Sequence, residues 1–117
     1  SLVDADRQVC ELEADFHRHV IIPGTADEMN PELEKACHLA DYFELARLII
    51  ADARQRKESC GGHFRVESQT ADGETLRDDG HFMYVAAWEY QGAGHPEVMH
   101  TEPLHYEEIQ IATRNYK

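Results

Sequence analysis

The chain has 117 residues, which is room for one modest core. It carries 23 Asp and Glu against 11 Lys and Arg, for a formal net charge of −12. A charge of that sign is repelled by phosphates, so we expect no nucleic-acid partner and no direct binding to an anionic membrane.

The N-terminal segment has the spacing of an amphipathic helix. Its apolar residues recur three and four positions apart, at Leu2, Ala5, Val9, Leu12 and Phe16. The segment Val20–Thr25 is expected to end this helix, because Pro23 cannot continue it and Gly24 favours a turn.

A second helix is predicted to begin at Pro31, with Asn30 as its cap. We expect Arg54, Arg56 and Lys57 in its closing turn and Gly61-Gly62 to stop it. Its apolar residues form an unusually wide face: Leu33, Ala36, Leu39, Ala40, Tyr42, Phe43, Leu45, Ala46, Ile49, Ile50 and Ala53. So wide a face predicts packing against more than one neighbour.

After a polar, turn-rich segment at 68–80 the hydrophobic period changes to two. Phe82–Tyr90 is predicted to be a strand, because one face at period two holds Phe82, Tyr84, Ala86, Trp88 and Tyr90. Pro103 cannot donate to a ladder, so the returning strand is an edge or ends there. The remaining expected elements are a turn at Gln91–Pro96, the returning strand at Glu97–Thr101 and a last strand at Ile109–Thr113.

These elements predict an α+β fold, in which two to three helices of a truncated helical bundle precede a small antiparallel β extension. We assign residues 1–67 to the helical part and 68–117 to the polar turn segment and β tail. Two helices with wide apolar faces do not close a bundle. Another helix, another chain or another domain is therefore expected to cover them.

The histidines and cysteines give little support for a metal site. Cys60 and His63 are a short-spaced pair, but His95, His100 and His105 recur every fifth residue, which places them on alternating faces of a strand. A Cys60–His63 dyad would lie beyond a helix C-terminus, where the negative end of the dipole opposes thiolate formation. We predict no metal site and no nucleophile here.

The cysteines also indicate the compartment. Cys10, Cys37 and Cys60 are odd in number and widely spaced, so a disulfide framework is not expected. The sequence shows no signal-peptide pattern and no apolar window long enough to span a bilayer. These features predict a soluble chain from a reducing compartment.

The densest polar cluster is Arg56–Arg65, which surrounds a double glycine. One interpretation is a helix terminus with its caps. The other is a turn in which glycine permits close backbone approach while Glu58, His63 and Arg65 pair with other groups.

This segment resembles the R-x-E-S-R/C-G-A/G-H-x-R motif of the flavoprotein subunits of succinate dehydrogenase and fumarate reductase. Cys60 stands where many members have arginine. Further segments similar to the same family are Asn30–Ala36, Asp41–Ala46, Leu76–Asp79, Phe82–Tyr90, His100–Leu104 and Arg114–Lys117. The resemblance covers nearly the whole chain and is to the C-terminal domain of that subunit.

The resemblance implies a subunit with covalently attached FAD that interconverts succinate and fumarate and passes electrons to an iron–sulfur subunit and quinone. It implies that the flavin-binding and capping domains of the same subunit are partners, and that a membrane anchor is reached indirectly. The expected location is peripheral, at the cytoplasmic face of the inner membrane. The preceding domains supply the chemistry, so we expect no catalytic or cofactor-binding residue, no cofactor and no activity in this chain alone.

The motif supplies the candidate structural and docking residues: Glu58, Ser59, Gly61, Gly62, His63 and Arg65. The alternative function is a free-standing acidic protein-interaction module that binds through its exposed helix faces. A third hypothesis is an autonomous Cys60/His63 enzyme. A truncated lobe could also form a non-biological homodimer that hides its apolar faces.

Overall fold

The computed structural model of the protein describes residues 1–92 and 94–112. Its elements are α1 (Leu2–His19), α2 (Pro31–Gln55), α3 (Asp79–Phe82), β1 (Tyr84–Glu89) and β2 (Val98–Pro103). The helices and the antiparallel pair of strands confirm the predicted α+β fold. The chain divides into two compact units, Ser1–Gln55 and Arg56–Lys117. Residues 56–67, which we assigned to the helical part, cluster with the second unit.

In the first unit, α1 and α2 form an antiparallel helical hairpin. Contacts between the helices include Arg54 Nη1 to Asp6 Oδ2 at 3.5 Å, Arg47 Nη1 to Glu13 Oε2 at 3.8 Å, and the rings of Phe16 and Phe43 with centroids 5.6 Å apart. The early residues of α1 thus meet the late residues of α2, as an antiparallel pair requires.

The predicted start of α2 is confirmed. Pro31 is its first residue, and Asn30 Oδ1 accepts a hydrogen bond from the backbone N–H of Leu33 at 3.1 Å. Arg54 lies in the last turn as predicted, but the prediction for Arg56 and Lys57 is wrong, because α2 ends at Gln55, well before Gly61-Gly62. The guanidinium of Arg56 instead binds groups of the second unit, as described below.

The wide apolar face of α2 divides into two stripes. One stripe is half-buried and includes Leu33, Ala36, Ala40, Phe43 and Ala46. The other is exposed: Leu39 at 43%, Tyr42 at 60%, Leu45 at 51% and Ile49 at 60%. Across the described residues, no apolar side chain of either unit is fully buried. The hairpin therefore presents a second apolar surface beyond the one that packs on its partner helix.

One residue of the predicted α1 stripe is misplaced. Leu12 is 59% exposed, whereas its neighbour Glu13 is half-buried and lies near Arg47 of α2. Both positions are compatible with helical spacing from Val9, and the ion pair with Arg47 favours the orientation that turns Glu13 toward α2.

The second unit contains the sheet, in which β1 pairs with β2 from Tyr84 opposite Pro103 to Glu89 opposite Val98. Half-buried Tyr84, Ala86 and Trp88 alternate with exposed residues, which confirms the period of two. Tyr90, expected on the same face, is 63% exposed and lies beyond the strand.

Several predicted boundaries in this unit are wrong. β1 starts after Phe82, because that residue closes the short helix α3, whose backbone N–H groups bond back to the Asp78 carbonyl. β2 extends beyond Thr101 and ends at Pro103, consistent with the missing proline N–H.

The predicted last strand is also wrong over residues 109–112, which are irregular, and Thr113 lies outside the described residues. Arg77 Nη1 donates to the Ala112 carbonyl at 3.4 Å. Separately, none of the helices in the described ranges is long and apolar enough to cross a membrane.

Candidate functional site

The segment after α2 reverses direction in a tight turn, Cys60–His63, here called the motif turn. The Cys60 N–H donates to the His63 carbonyl at 2.9 Å, and the His63 N–H donates back to the Cys60 carbonyl at 3.1 Å. Gly61 has φ +58° whereas φ of Gly62 is not positive, the pattern of a type II′ hairpin turn. Gly61 is therefore required by the backbone conformation.

Ser59 joins the two arms that flank the motif turn. Its side chain is fully buried, and its Oγ accepts from the Arg65 N–H at 2.8 Å and donates to the Arg65 carbonyl at 3.2 Å. The Ser59 N–H donates to the Leu76 carbonyl at 2.9 Å. The Ser59 hydroxyl thus acts as both acceptor and donor, and it binds both backbone polar groups of Arg65 on the other side of the turn.

Glu58 points into the second unit and is 3% exposed. Its Oε1 accepts from Arg56 Nη1 at 2.7 Å, and its Oε2 accepts from the Asp78 N–H at 2.8 Å. A buried carboxylate is tolerated only when it is paired and hydrogen bonded, and both oxygens meet that condition here.

Arg56 links Glu58 to the start of β1. Its guanidinium donates from Nη1 to the Phe82 carbonyl at 3.0 Å and from Nη2 to the Tyr84 carbonyl at 3.1 Å. The same group lies 5.8 Å and 5.2 Å from the ring centroids of Phe82 and Tyr84. Planar stacking and several fixed donors are the properties that distinguish Arg from Lys. We refer to Arg56, Glu58 and Ser59 as the polar kernel.

His63 closes the motif turn onto this kernel. Its Nε2 lies 2.8 Å from the Arg56 carbonyl oxygen. Because a carbonyl oxygen can only accept, Nε2 carries the hydrogen, and in the neutral ring Nδ1 is then an acceptor. The His63 side chain is half-buried, and this hydrogen bond fixes the Nε2 edge of the imidazole.

The backbone of Arg65 binds the buried Ser59 hydroxyl, whereas its side chain forms an ion pair with the exposed Glu67. Its Nε donates to Glu67 Oε1 at 2.8 Å, and its Nη2 contacts the same oxygen. The pKa of Glu67 is lowered, chiefly by its own backbone N–H and next by the hydrogen bond from Arg65. The pair is local, since only one residue separates its members.

The six candidate residues thus lie close together, but their side chains point in different directions and have different partners. Glu58 and Ser59 face inward, and Arg65 pairs with its own neighbour. Gly61 and Gly62 are exposed. Sequence reasoning missed the central role of Arg56 and the contribution of the Asp78 N–H, although Arg56 is the first residue of the motif itself.

The arrangement does not support a Cys60–His63 dyad, because the Nε2 atom of His63 binds a backbone carbonyl and no hydrogen bond between the Cys60 thiol and the imidazole is seen in the described residues. Within residues 1–92 and 94–112, no group of three or more His, Cys, Asp or Glu side chains is placed to hold a metal ion. The motif turn and the polar kernel are joined by the hydrogen bond from His63 to the Arg56 carbonyl, and the Arg56 side chain in turn donates to Glu58.

Comparison with known proteins identifies the wider context. The family described as Fumarate reductase flavoprotein C-term matches residues 1–116. The chain belongs to this family. The match spans both compact units and confirms the resemblance carried by the motif. A search of curated proteins found no match.

The family is one of flavoproteins, which raises the question of whether these residues could hold a flavin. In the described part of the chain, every buried side-chain nitrogen or oxygen already has a hydrogen-bond partner. The glycines of the motif turn follow a helix instead of opening one, which is not the arrangement that binds phosphate at a helix N-terminus. These residues do not fit a flavin site, and no chemical step is assigned to them.

Proposed function

We propose that this chain is the non-catalytic docking lobe of a flavoprotein subunit that interconverts succinate and fumarate. The family match over residues 1–116 carries this proposal. The preceding flavin-binding and capping domains of the subunit hold a covalent FAD and carry out the reaction. They pass electrons to an iron–sulfur subunit and then to quinone, in a complex peripheral to the cytoplasmic face of the inner membrane.

The exposed surfaces of both units support a docking role. In the first unit, the second stripe of α2 exposes Leu39, Tyr42, Leu45 and Ile49 at helical spacing. Contiguous apolar surface of this kind is typical of a face that another element covers. In the second unit, the polar kernel gives the motif turn a fixed conformation. We assign Glu58 and Ser59 to building that conformation and the exposed residues of the turn to docking.

The proposal is tested by the size and flavin content of the native polypeptide. An antibody raised against this chain should detect a band several times longer than 117 residues in source cells. That band should fluoresce as a flavin under denaturing conditions, because a covalent flavin stays attached when the protein unfolds.

A non-fluorescent band of 117 residues would contradict the proposal. It would favour the alternative of a free-standing acidic interaction module. The exposed α2 stripe and the net charge of −12 are the observations that favour that second candidate, and a basic partner would then be expected.

A further inference from the structure

Gly62 is a glycine that nothing in the described chain requires. Its φ is not positive, so the backbone conformation is open to other residues. A Cβ added at this position would meet no atom within 4 Å. This contrasts with Gly24, where an added Cβ would come within 2.8 Å of the Asn30 side chain. The space beside Gly62 is therefore open on the outside of the motif turn.

His63 provides a second, independent feature on the same turn. Its Nε2–H is used by the Arg56 carbonyl, which fixes the tautomer and leaves Nδ1 as an acceptor. Among the described residues, no hydrogen bond or ion pair to Nδ1 is observed. A hydrogen-bond acceptor in a fixed orientation next to an unobstructed stretch of backbone is suited to meeting an external donor.

The surroundings of the motif turn make it an ordered surface with apolar neighbours. The buried Ser59 hydroxyl and the two backbone hydrogen bonds between Cys60 and His63 fix the conformation of the motif turn. Phe64 is 51% exposed and Val66 is 79% exposed directly after it. A rigid turn loses little conformational entropy on binding, which favours association.

We propose that the motif turn is the contact surface between this chain and the rest of its own flavoprotein polypeptide. In this contact an N–H or O–H group of the partner donates to His63 Nδ1. The partner's surface packs directly on the Gly62 backbone and on Phe64. The inference rests on the proposed function, which it extends from a docking lobe to a particular docking surface.

Two observations favour this occupant over a second copy of the chain. Each copy has a net charge of −12, so two copies repel each other. The family is by description the C-terminal part of a flavoprotein, so the remainder of that polypeptide is linked covalently and is present at a high effective concentration.

The cysteines allow the contact to be tested in the intact flavoprotein. Cys10, Cys37 and Cys60 are all free and exposed in the isolated chain, and Cys60 alone lies in the motif turn. We expect alkylation of Cys60 in the native flavoprotein to be slower than in the urea-unfolded protein by about tenfold or more. Mass spectrometry of peptides containing each cysteine measures the three rates in one sample.

A glycine variant tests the close approach without disturbing the chain itself. Gly62→Gln places a side chain in the open space and should leave the fold intact, but it should obstruct the partner surface. Proteolytic release of the lobe should then rise about tenfold, because cleavage follows the population of the undocked form.

Gly80→Gln is the matched control, since φ of Gly80 is also not positive and its added Cβ would make an ordinary 3.6 Å contact with Asp78 Oδ1. It should leave release unchanged. Equal release from the Gly62→Gln and parent proteins would overturn the inference.

Two variants of His63 test the contributions of its two ring nitrogens separately. In His63→Gln, the side-chain amide can still donate to the Arg56 carbonyl, but the Nδ1 acceptor is absent. In His63→Asn, a polar atom remains near the Nδ1 position, but the Nε2 donor is lost. We expect the Gln variant to keep the thermal stability of the chain and to lose protection of Cys60, and the Asn variant to lose thermal stability.

Failure of this inference is distinguishable from failure of the proposed function. If Cys60 reacts at the unfolded rate in a flavin-bearing subunit, the lobe docks through another surface and only the present inference is wrong. If the native polypeptide carries no flavin, the proposed function fails, whatever the reactivity of Cys60.

Discussion

The two units of this chain are stabilised in different ways. In the helical hairpin, Ser1–Gln55, local helix patterns and half-buried apolar side chains such as Phe16 and Phe43 make the contact. In the described part of the second unit, the buried residues are polar: Glu58 at 3%, Ser59 at 0% and Ser68 at 8% exposed. A protein of modest size can thus combine an apolar helix contact with a polar kernel.

The difference matters for how each unit responds to substitution. The contacts of Arg56 with Phe82 and Tyr84 join residues 26 and 28 positions apart, and the Glu58–Asp78 bond spans 20 positions. Each of these hydrogen bonds therefore joins segments that are distant in sequence, and its loss should affect more than its own neighbourhood. Apolar packing in the hairpin is distributed over many positions and is less sensitive to any one.

The largest effect is expected from Glu58→Ala in the second unit. This change leaves the Arg56 guanidinium, which is 22% exposed, without its carboxylate and the Asp78 N–H without an acceptor. We expect the free energy of unfolding to fall by about 3 kcal/mol, since breaking one partner of a buried pair leaves an uncompensated charge. Urea unfolding followed by the fluorescence of Trp88, the only tryptophan, measures it.

Glu67→Ala is the control for this experiment. It removes a carboxylate from an ion pair with Arg65 in the same motif region, but the Glu67 side chain is 62% exposed. Solvent screens such a pair, so its loss should shift the urea midpoint only slightly. If Glu58→Ala and Glu67→Ala lower the free energy of unfolding equally, burial of Glu58 does not explain its contribution to stability.

A smaller effect is expected in the helical hairpin from Phe16→Ala and Phe43→Ala. The rings are half-buried, so each change should cost about 2 kcal/mol, below the range for a fully buried phenylalanine. The double variant should be less destabilised than the sum by about 1 kcal/mol, because the first substitution already removes the ring–ring contact. Far-UV circular dichroism during urea unfolding reports on these helices.

Leu12→Ala tests the revised orientation of α1. Leu12 is 59% exposed, so its truncation should change the free energy of unfolding by no more than about 0.5 kcal/mol. A loss as large as that for Phe16→Ala would restore the stripe predicted from the sequence.

The sequence was most informative where structure depends on neighbouring residues. Asn30 and Pro31 predicted the start of α2, and the alternation through Trp88 predicted β1. Leu12 and Glu13 could not be assigned in the same way, because both satisfy helical spacing and the choice depends on Arg47 of another helix.

The candidate site was predictable in identity but not in orientation. The resemblance selected Glu58 and Ser59, yet their inward direction depends on partners far along the chain, among them Asp78 and Leu76. The positive charge of Arg56 suits a helix C-terminus, which predicts a place in α2. The carbonyls that it binds belong to Phe82 and Tyr84, and no local sequence pattern connects them to Arg56.

The smallest effect is expected at the surface of the sheet, where polar contacts are exposed. His100 Nε2 lies 2.7 Å from Glu89 Oε2, with the two side chains 59% and 58% exposed. The pKa of Glu89 is lowered from 4.5, first by the hydrogen bond from His100 and then by one from Gln91. A lowered pKa in the folded state means that the contact stabilises the fold above about pH 4.5 and that this contribution is lost as the pH falls further.

Thermal unfolding followed between about pH 6 and about pH 3 should therefore show a slightly smaller acid-induced drop in Tm for Glu89→Gln than for the parent chain. Glu102→Gln, an exposed change on β2, is the control and should retain the full drop. If the parent and Glu89→Gln curves coincide, the contact contributes nothing to stability. The second unit would then depend on its buried polar kernel and not on polar contacts in general, and the comparison with the hairpin would be sharper.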